Sequence, residues 1–404
     1  MLAGLGYFYL APLVIATIIR SVILFNLSLP DSQKFDYIFT GSGCAALSLL
    51  ARMIQSGKFA DKKILLIDKE SKTRNDRTWC FWEKGSSFFE EIVYRKWPVI
   101  NFFSDTFSSR LDIAPYQYKM IRGIDFYNYC FQLIGEQKNI AIVYGDVWFE
   151  NDEIFLNDKL LETNAAIVFN SIYRLPATGN GHIHLHQHFK GWIIETSETA
   201  FDVNEATLMD FRVHQDHGTT FSYILPLSGT KALVEYTLFT EQLLEPGQYD
   251  EGLKNYIREI LKITGYRITD EEVGVIPMSN TKFNFYENGR YNIGTAGGQT
   301  KASSGYTFRF IQEHSDKIMG QLLAGEPLSG LALPSKRFHF YDRILLRILK
   351  ENKLKGSDIF SRLFARNKAP QVFKFLDNET SLTEELKIIS SLPTMPFLKA
   401  ALKK

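Results

Sequence analysis

A layered α/β fold, with an antiparallel β-sheet domain inserted into it and a helical C-terminal region, is the architecture this sequence predicts. Three observations predict it. A strand, a glycine turn, a helix and a second strand follow one another over residues 35–68. A second strand running into glycines recurs at residues 291–306 and again precedes a helix. Between them, residues 189–285 carry mostly strand patterns bounded by turn residues.

The first unit sets the chemistry. Phe35-Asp36-Tyr37-Ile38-Phe39-Thr40 reads as a buried strand, Gly41-Ser42-Gly43-Cys44-Ala45-Ala46 as a tight turn, and Leu47 to Ile54 as an apolar helix. A second strand, from Lys63 to Ile67, ends on Asp68, 22 residues after Ala46. Gly41 permits the turn, and Gly43 lets backbone N–H groups approach a pyrophosphate. Ala46 is the small residue where helix packs on strand, and Asp68 can accept hydrogen bonds from a ribose diol. Gly41, Gly43, Ala45, Ala46 and Asp68 are therefore candidate cofactor residues of a Rossmann-like dinucleotide site.

The chain has 404 residues, 45% hydrophobic and 23% charged, enough for an ample core and two or three domains. A net charge of +1 argues against nucleic acid as a partner. Aromatic residues make up 14%, which suits a large core or a long apolar pocket. Cys44, Cys80 and Cys130 lie far apart, giving neither a disulfide framework nor a thiolate metal site, and point to a reducing compartment.

Residues 1–33 form an apolar segment interrupted by Arg20. Membrane anchor, interfacial stretch and sequence upstream of a true start all remain open for it. Arg122-Gly123 opens a helix, so Arg122 meets a phosphate or is simply solvated. His182, His184, His186 and His188 alternate, which places them on one polar strand face rather than around a metal. Strands are expected at 190–196, 207–213, 219–227 and 231–239, and a helix at 249–264. The segment from Tyr291 to Gly298 reads as strand into glycine turn, and Ser303-Ser304-Gly305-Tyr306 as the start of a helix. Gly297, Gly298 and Gly305 are the cofactor candidates there. Residues 336–368 hold ten Lys or Arg against three Asp or Glu, with an apolar set including Phe338, Phe340, Ile344 and Ile348. That is a helix for a membrane surface or a cap on the core. The expected domains are 34–180 with 286–330 for the cofactor, 181–285 for the substrate, and 331–404 for the helical region.

The strand Phe221-Ser222-Tyr223-Ile224-Leu225-Pro226-Leu227-Ser228, followed by Leu233-Val234-Glu235-Tyr236-Thr237, resembles the signature of the lycopene β-cyclase family. That signature is an aromatic-x-Tyr-x-Leu/Met-Pro strand, then a hydrophobic pair, a Glu, a variable acid and a Thr. Tyr236 departs from it at the variable acid. Arg77-Thr78-Trp79-Cys80-Phe81-Trp82 resembles the family's Thr-Trp-Ser/Cys-Phe block, and Ser304-Gly305-Tyr306 its Thr-Gly-Tyr. The resemblance covers roughly residues 35–400. The family's Gly-Asp is absent at Gly297-Gly298.

The resemblance implies a flavoprotein monooxygenase-like fold, reduced FAD with NAD(P)H as electron source, and ring closure at the ψ-ends of lycopene without net redox change. The expected product series runs from lycopene through γ-carotene to β-carotene. It also implies a membrane-dissolved substrate and a place on the cytoplasmic side of the membrane. An alkene is a very poor base, so its acid must be neutral and shielded from water. Glu235, in an apolar strand, is the candidate general acid. Tyr223 and Tyr306 could stabilise a cation with their ring faces. Asp210 and Arg212, of the same sheet, are candidates to position Glu235 or receive the final proton. The alternative is a net-redox monooxygenase or prenyl reductase acting on an apolar substrate.

Overall fold

The computed structural model describes residues 34–163, 165–174, 182–331 and 336–403. The apolar segment 1–33 and its three readings lie outside them.

The first sheet has six strands in the order Tyr286–Glu287, Arg290–Asn292, Ile167–Asn170, Tyr37–Thr40, Ile64–Asp68 and Ile140–Tyr144. All neighbours are parallel except the hairpin that joins the first two. Tyr37–Thr40 and Ile64–Asp68 are buried throughout, as parallel strands covered on both faces must be. Helix Cys44–Ser56 covers one face and packs beside helix Phe308–Ala324. It stops at Gly57, whose φ of 65° gives the left-handed cap that glycine adopts without strain. The second glycine segment starts its helix at Phe308, later than expected, because Gly305 turns the chain at φ 72° first.

The second sheet has seven strands: Arg267–Ser279, His184–Glu195, Lys231–Thr240, Thr219–Pro226, Glu205–Asp210, Val99–Phe103 and Ser108–Asp112. Two features differ from expectation. Residues 99–112, assigned to the cofactor domain, supply its far edge, with Val99–Phe103 parallel to Glu205–Asp210. The opposite edge strand, Arg267–Ser279, had no place in the strand reading. Its Asp270-Glu271-Glu272 run reads as solvent-facing, and Pro277 is tolerated only because the strand is an edge.

Helix Pro246–Glu259 backs one face of this sheet. It begins with a capping box between Glu245 and Gln248 and ends earlier than the predicted 249–264. The other face turns toward the first sheet. His184, His186 and His188 lie on the strand His184–Glu195, where buried His188 bonds Tyr249 and Thr240.

Among the described residues, five helices follow: Lys336–Lys350, Gly356–Arg366, Ala369–Leu376, Leu382–Ser391 and Thr394–Leu402. The basic helix Lys336–Lys350 caps the core. Phe338, Ile344, Leu346, Ile348 and Leu349 are all buried, so its apolar stripe is not free for a membrane. The capping box at Ser381 and Glu384 forms as its sequence predicts. Among the described residues, no helix is long and apolar enough to cross a membrane.

Candidate active site

Strand register builds the site. Across four adjacent strands Glu272 stands opposite Gly191, Gly191 opposite Glu235, and Glu235 opposite Tyr223. Paired residues share a face, so this row points away from the backing helix. Gly191 leaves a gap in it. A Cβ there would sit 2.8 Å from Leu233, 3.3 Å from the Glu272 Cγ and 3.6 Å from the Glu235 Cβ. The two glutamates close over that gap, near enough for each carboxyl to act on the other's charge. Thr237 Oγ1 donates to Glu235 Oε1 at 2.6 Å, and Thr78 Oγ1 donates to Glu272 Oε2 at 2.6 Å. Burial, and then the charge of Glu272, push the Glu235 carboxyl well above the usual carboxylate range. Burial also raises Glu272, while its bond from Thr78 favours its charged form.

Glu235 faces a cavity of about 420 Å³. The sheet supplies one wall through Gln187, Phe189, Tyr223, Leu233 and Glu235. The opposite wall comes from both glycine turns, through Gly43, Cys44 and Ala45 and through Gly294, Thr295 and Gly305. The segment Asp76–Cys80 and Tyr306 close it. Tyr306 lies edge-on to Trp82 at 4.4 Å, and Trp82 stacks on Phe373 at 4.3 Å, which ties the C-terminal helices to the cavity wall.

The cofactor candidates divide. Gly43 has open space where a side chain would stand, with no side-chain cap and no acid in the following turn. The free N–H groups of Cys44, Ala45 and Ala46 thus end a 13-residue helix at the cavity, an arrangement suited to an anion. Gly41 turns at φ 89° against Ser171. Gly294 packs on Ala45, where a Cβ would come within 2.8 Å, so the two glycine turns touch. Among the described residues, Ser304 Oγ, Tyr306 Oη and Gln187 Oε1 are buried at the cavity without hydrogen-bond partners, as a site built for a polar group would leave them. These features fit a bound dinucleotide.

Other candidates sit elsewhere. Asp68 is occupied by its own turn, accepting from Ser42 N at 2.5 Å, Ser42 Oγ at 2.7 Å and Lys72 Nζ at 3.1 Å. Burial opposes its charge, but these bonds hold its pKa below the usual carboxylate range. Gly297 packs against the Asn292 carbonyl and Gly298 turns at φ 78°, so both shape the turn rather than line the cavity. Arg122 is committed to Asp125 at 2.6 and 2.7 Å and stacks over Tyr94. Arg77 stands at the cavity instead. The expectation for Asp210 and Arg212 is corrected. Asp210 accepts from Arg212 at 2.9 and 2.6 Å and from Tyr256 at 2.8 Å, on the face covered by the backing helix. Neither residue lines the cavity.

The sequence matches the profile of the lycopene cyclase protein family over residues 36–402. The chain belongs to that family. In this lycopene cyclase family member, Tyr236, the departure from the signature, points away from the cavity and packs on Gly252 of the backing helix. The fold is that of FAD-dependent monooxygenases and halogenases. It is similar to a geranylgeranyl bacteriochlorophyll reductase-like protein from Thermoplasma acidophilum, with a TM-score of 0.55 at 11% identity over 91% of this chain and 98% of that one. The flavin-dependent brominase Bmp2 gives 0.54 at 12% identity over 86% and 94%. PqsL, a probable FAD-dependent monooxygenase from Pseudomonas aeruginosa, gives 0.52 at 11% over 80% and 98%. No curated sequence is similar enough to match.

Sequence reasoning missed Glu272 and Arg77. The one available signal for Glu272 was Gly191, a glycine inside a strand, which marks a close approach by a neighbour.

Proposed function

We propose that the protein is a lycopene β-cyclase in which Glu235 is the general acid. The observation that carries this is a buried carboxyl, its pKa pushed well above the usual carboxylate range and with no ion-pair partner among the described residues, at a cavity shared with two glycine turns. Glu235 gives its proton to the terminal alkene of a ψ-end. The neighbouring double bond attacks the resulting cation, closing the ring, and a proton leaves. Tyr223 and Tyr306 line the path with ring faces that favour a cation. Exclusion of water around the cation would keep it from being trapped as an alcohol.

FAD is the proposed cofactor. Gly43, Cys44 and Ala45 would hold its pyrophosphate, with Gly294 and Gly305 bordering the ring system. When bound and reduced it supplies negative charge near the cavity, and NAD(P)H is the proposed electron source. The substrate is a linear carotenoid taken from a membrane surface on the cytoplasmic side. Supporting this, the last two helices expose Leu382, Leu386, Met395, Leu398 and Leu402 near the exposed Lys387 and Lys399. Sedimentation with anionic vesicles tests the surface, and a protein left in the supernatant rejects it.

Expression in a lycopene-accumulating host tests the activity. A red-to-orange shift with product isomeric to lycopene is expected. Oxygenated or hydrogenated product, with NAD(P)H consumed at each turnover, would overturn it.

A further inference from the structure

We propose that Glu235 and Glu272 share one proton across the gap left by Gly191, with Glu272 as the positioning carboxylate that holds this proton on Glu235. This rests on Glu235 being the acid. Three observations converge on the pair. The register of three strands places the glutamates on either side of a residue that has no side chain. Each carboxyl receives a separate hydroxyl, from Thr237 and from Thr78, on an oxygen of its own. Both residues are less than a tenth exposed, at 9% and 8%. Neither has an ion-pair partner among the described residues, so the pair avoids two adjacent charges by retaining one proton. Only Glu235 lines the cavity, so the proton lies on the member that can deliver it.

The pair also gives the reaction its return step. When Glu235 protonates the alkene, an O–H bond breaks and a C–H bond forms. Ring closure forms a C–C bond and moves the positive charge into the ring. Two carboxylates then face one another, and their repulsion makes the pair a strong base. The ring proton leaves its carbon to restore the single shared proton. Atoms and electrons balance with no co-reactant.

The other titratable groups facing the pair are Cys80, Tyr223 and Tyr306, with Asp76 and Asp270 toward Glu272. Arg77, the nearby cavity cation, pairs with Asp76. Burial pushes the thiol and both phenols up, so they stay neutral while the pair titrates.

Infrared titration of the protonated-carboxyl band tests the pair without substrate. In Glu272→Gln the midpoint falls by at least about one pH unit, because the like charge is gone. The alkaline limb of the cyclisation rate moves down with it. Glu272→Asp, which keeps the charge but draws it back, shifts both less, in the same direction, and serves if the glutamine variant does not fold. Midpoints unchanged in the folded variants, or a loss of rate equal at every pH, would overturn the pair. A shifted midpoint in a protein whose wild type forms no ring would keep the pair and reject the cyclase.

Discussion

Asp210 and Glu235 are buried acids on opposite faces of one sheet, and they are held in opposite ways. Asp210 is completely buried but accepts three bonds from Arg212, one of them from its backbone N–H, and one from Tyr256, so a cation stands beside it. Glu235 has a threonine and another acid beside it, and burial with that like charge pushes its carboxyl well above the usual carboxylate range. The contrast teaches that burial alone does not mark a catalytic carboxyl. The neighbour decides whether the group is an ion that ties structure together or an acid ready for chemistry.

Glu235→Gln should separate the faces most sharply. It keeps the shape and removes the acid, so cyclisation should fall by about 10³-fold while FAD binding and the thermal midpoint hold. Product chromatography and flavin absorbance measure both. Retained turnover would erase the distinction.

The helix face should betray itself through pH. Burial holds His188 neutral there, down from 6.5 to about 4. Below pH 6.5 the unfolded chain binds the proton and the folded one does not, so stability falls as pH drops toward 4. This residue accounts for about 3 kcal/mol of that loss. His314, pushed down to about 4 by burial, titrates in the same window. Denaturant melts of His188→Gln should therefore show a shallower acid slope, with one protonation fewer, and an unchanged slope would contradict this.

Asp210→Asn should cost about 2 kcal/mol, less than a fully buried pair because Arg212 is 37% exposed. Turnover per folded molecule should not change. A selective loss of rate would put Asp210 back among the catalytic groups. Thr237→Val should have the smallest effect, about 1 kcal/mol or a few-fold in rate, from the bond it makes to Glu235.

The parallel sheet was legible because its strands are buried on both faces and so read as unbroken apolar runs. The acid strand Lys231–Thr240 was legible for a similar reason, with Val234 and Tyr236 packed under the helix and Leu233 in the core. Faces were harder. Thr207 pairs with Ile224 on the helix side, and in a regular strand Asp210 would point the other way. A bulge between them returns Asp210 to the helix side, and no spacing rule reveals it. Glu272 was hidden because its role exists only through register with Gly191 and Glu235 on other strands. Arg122 looked free beside a helix start, yet Asp125, one turn on, claims it.

Anaerobic incubation of lycopene with the reduced, FAD-loaded wild type and with Glu235→Gln is the most direct test of a proton-bearing Glu235. A ring-containing product of unchanged mass from the wild type, and none from the variant, is the predicted result. Product gaining oxygen or hydrogen, or equal ring formation by both proteins, would contradict it.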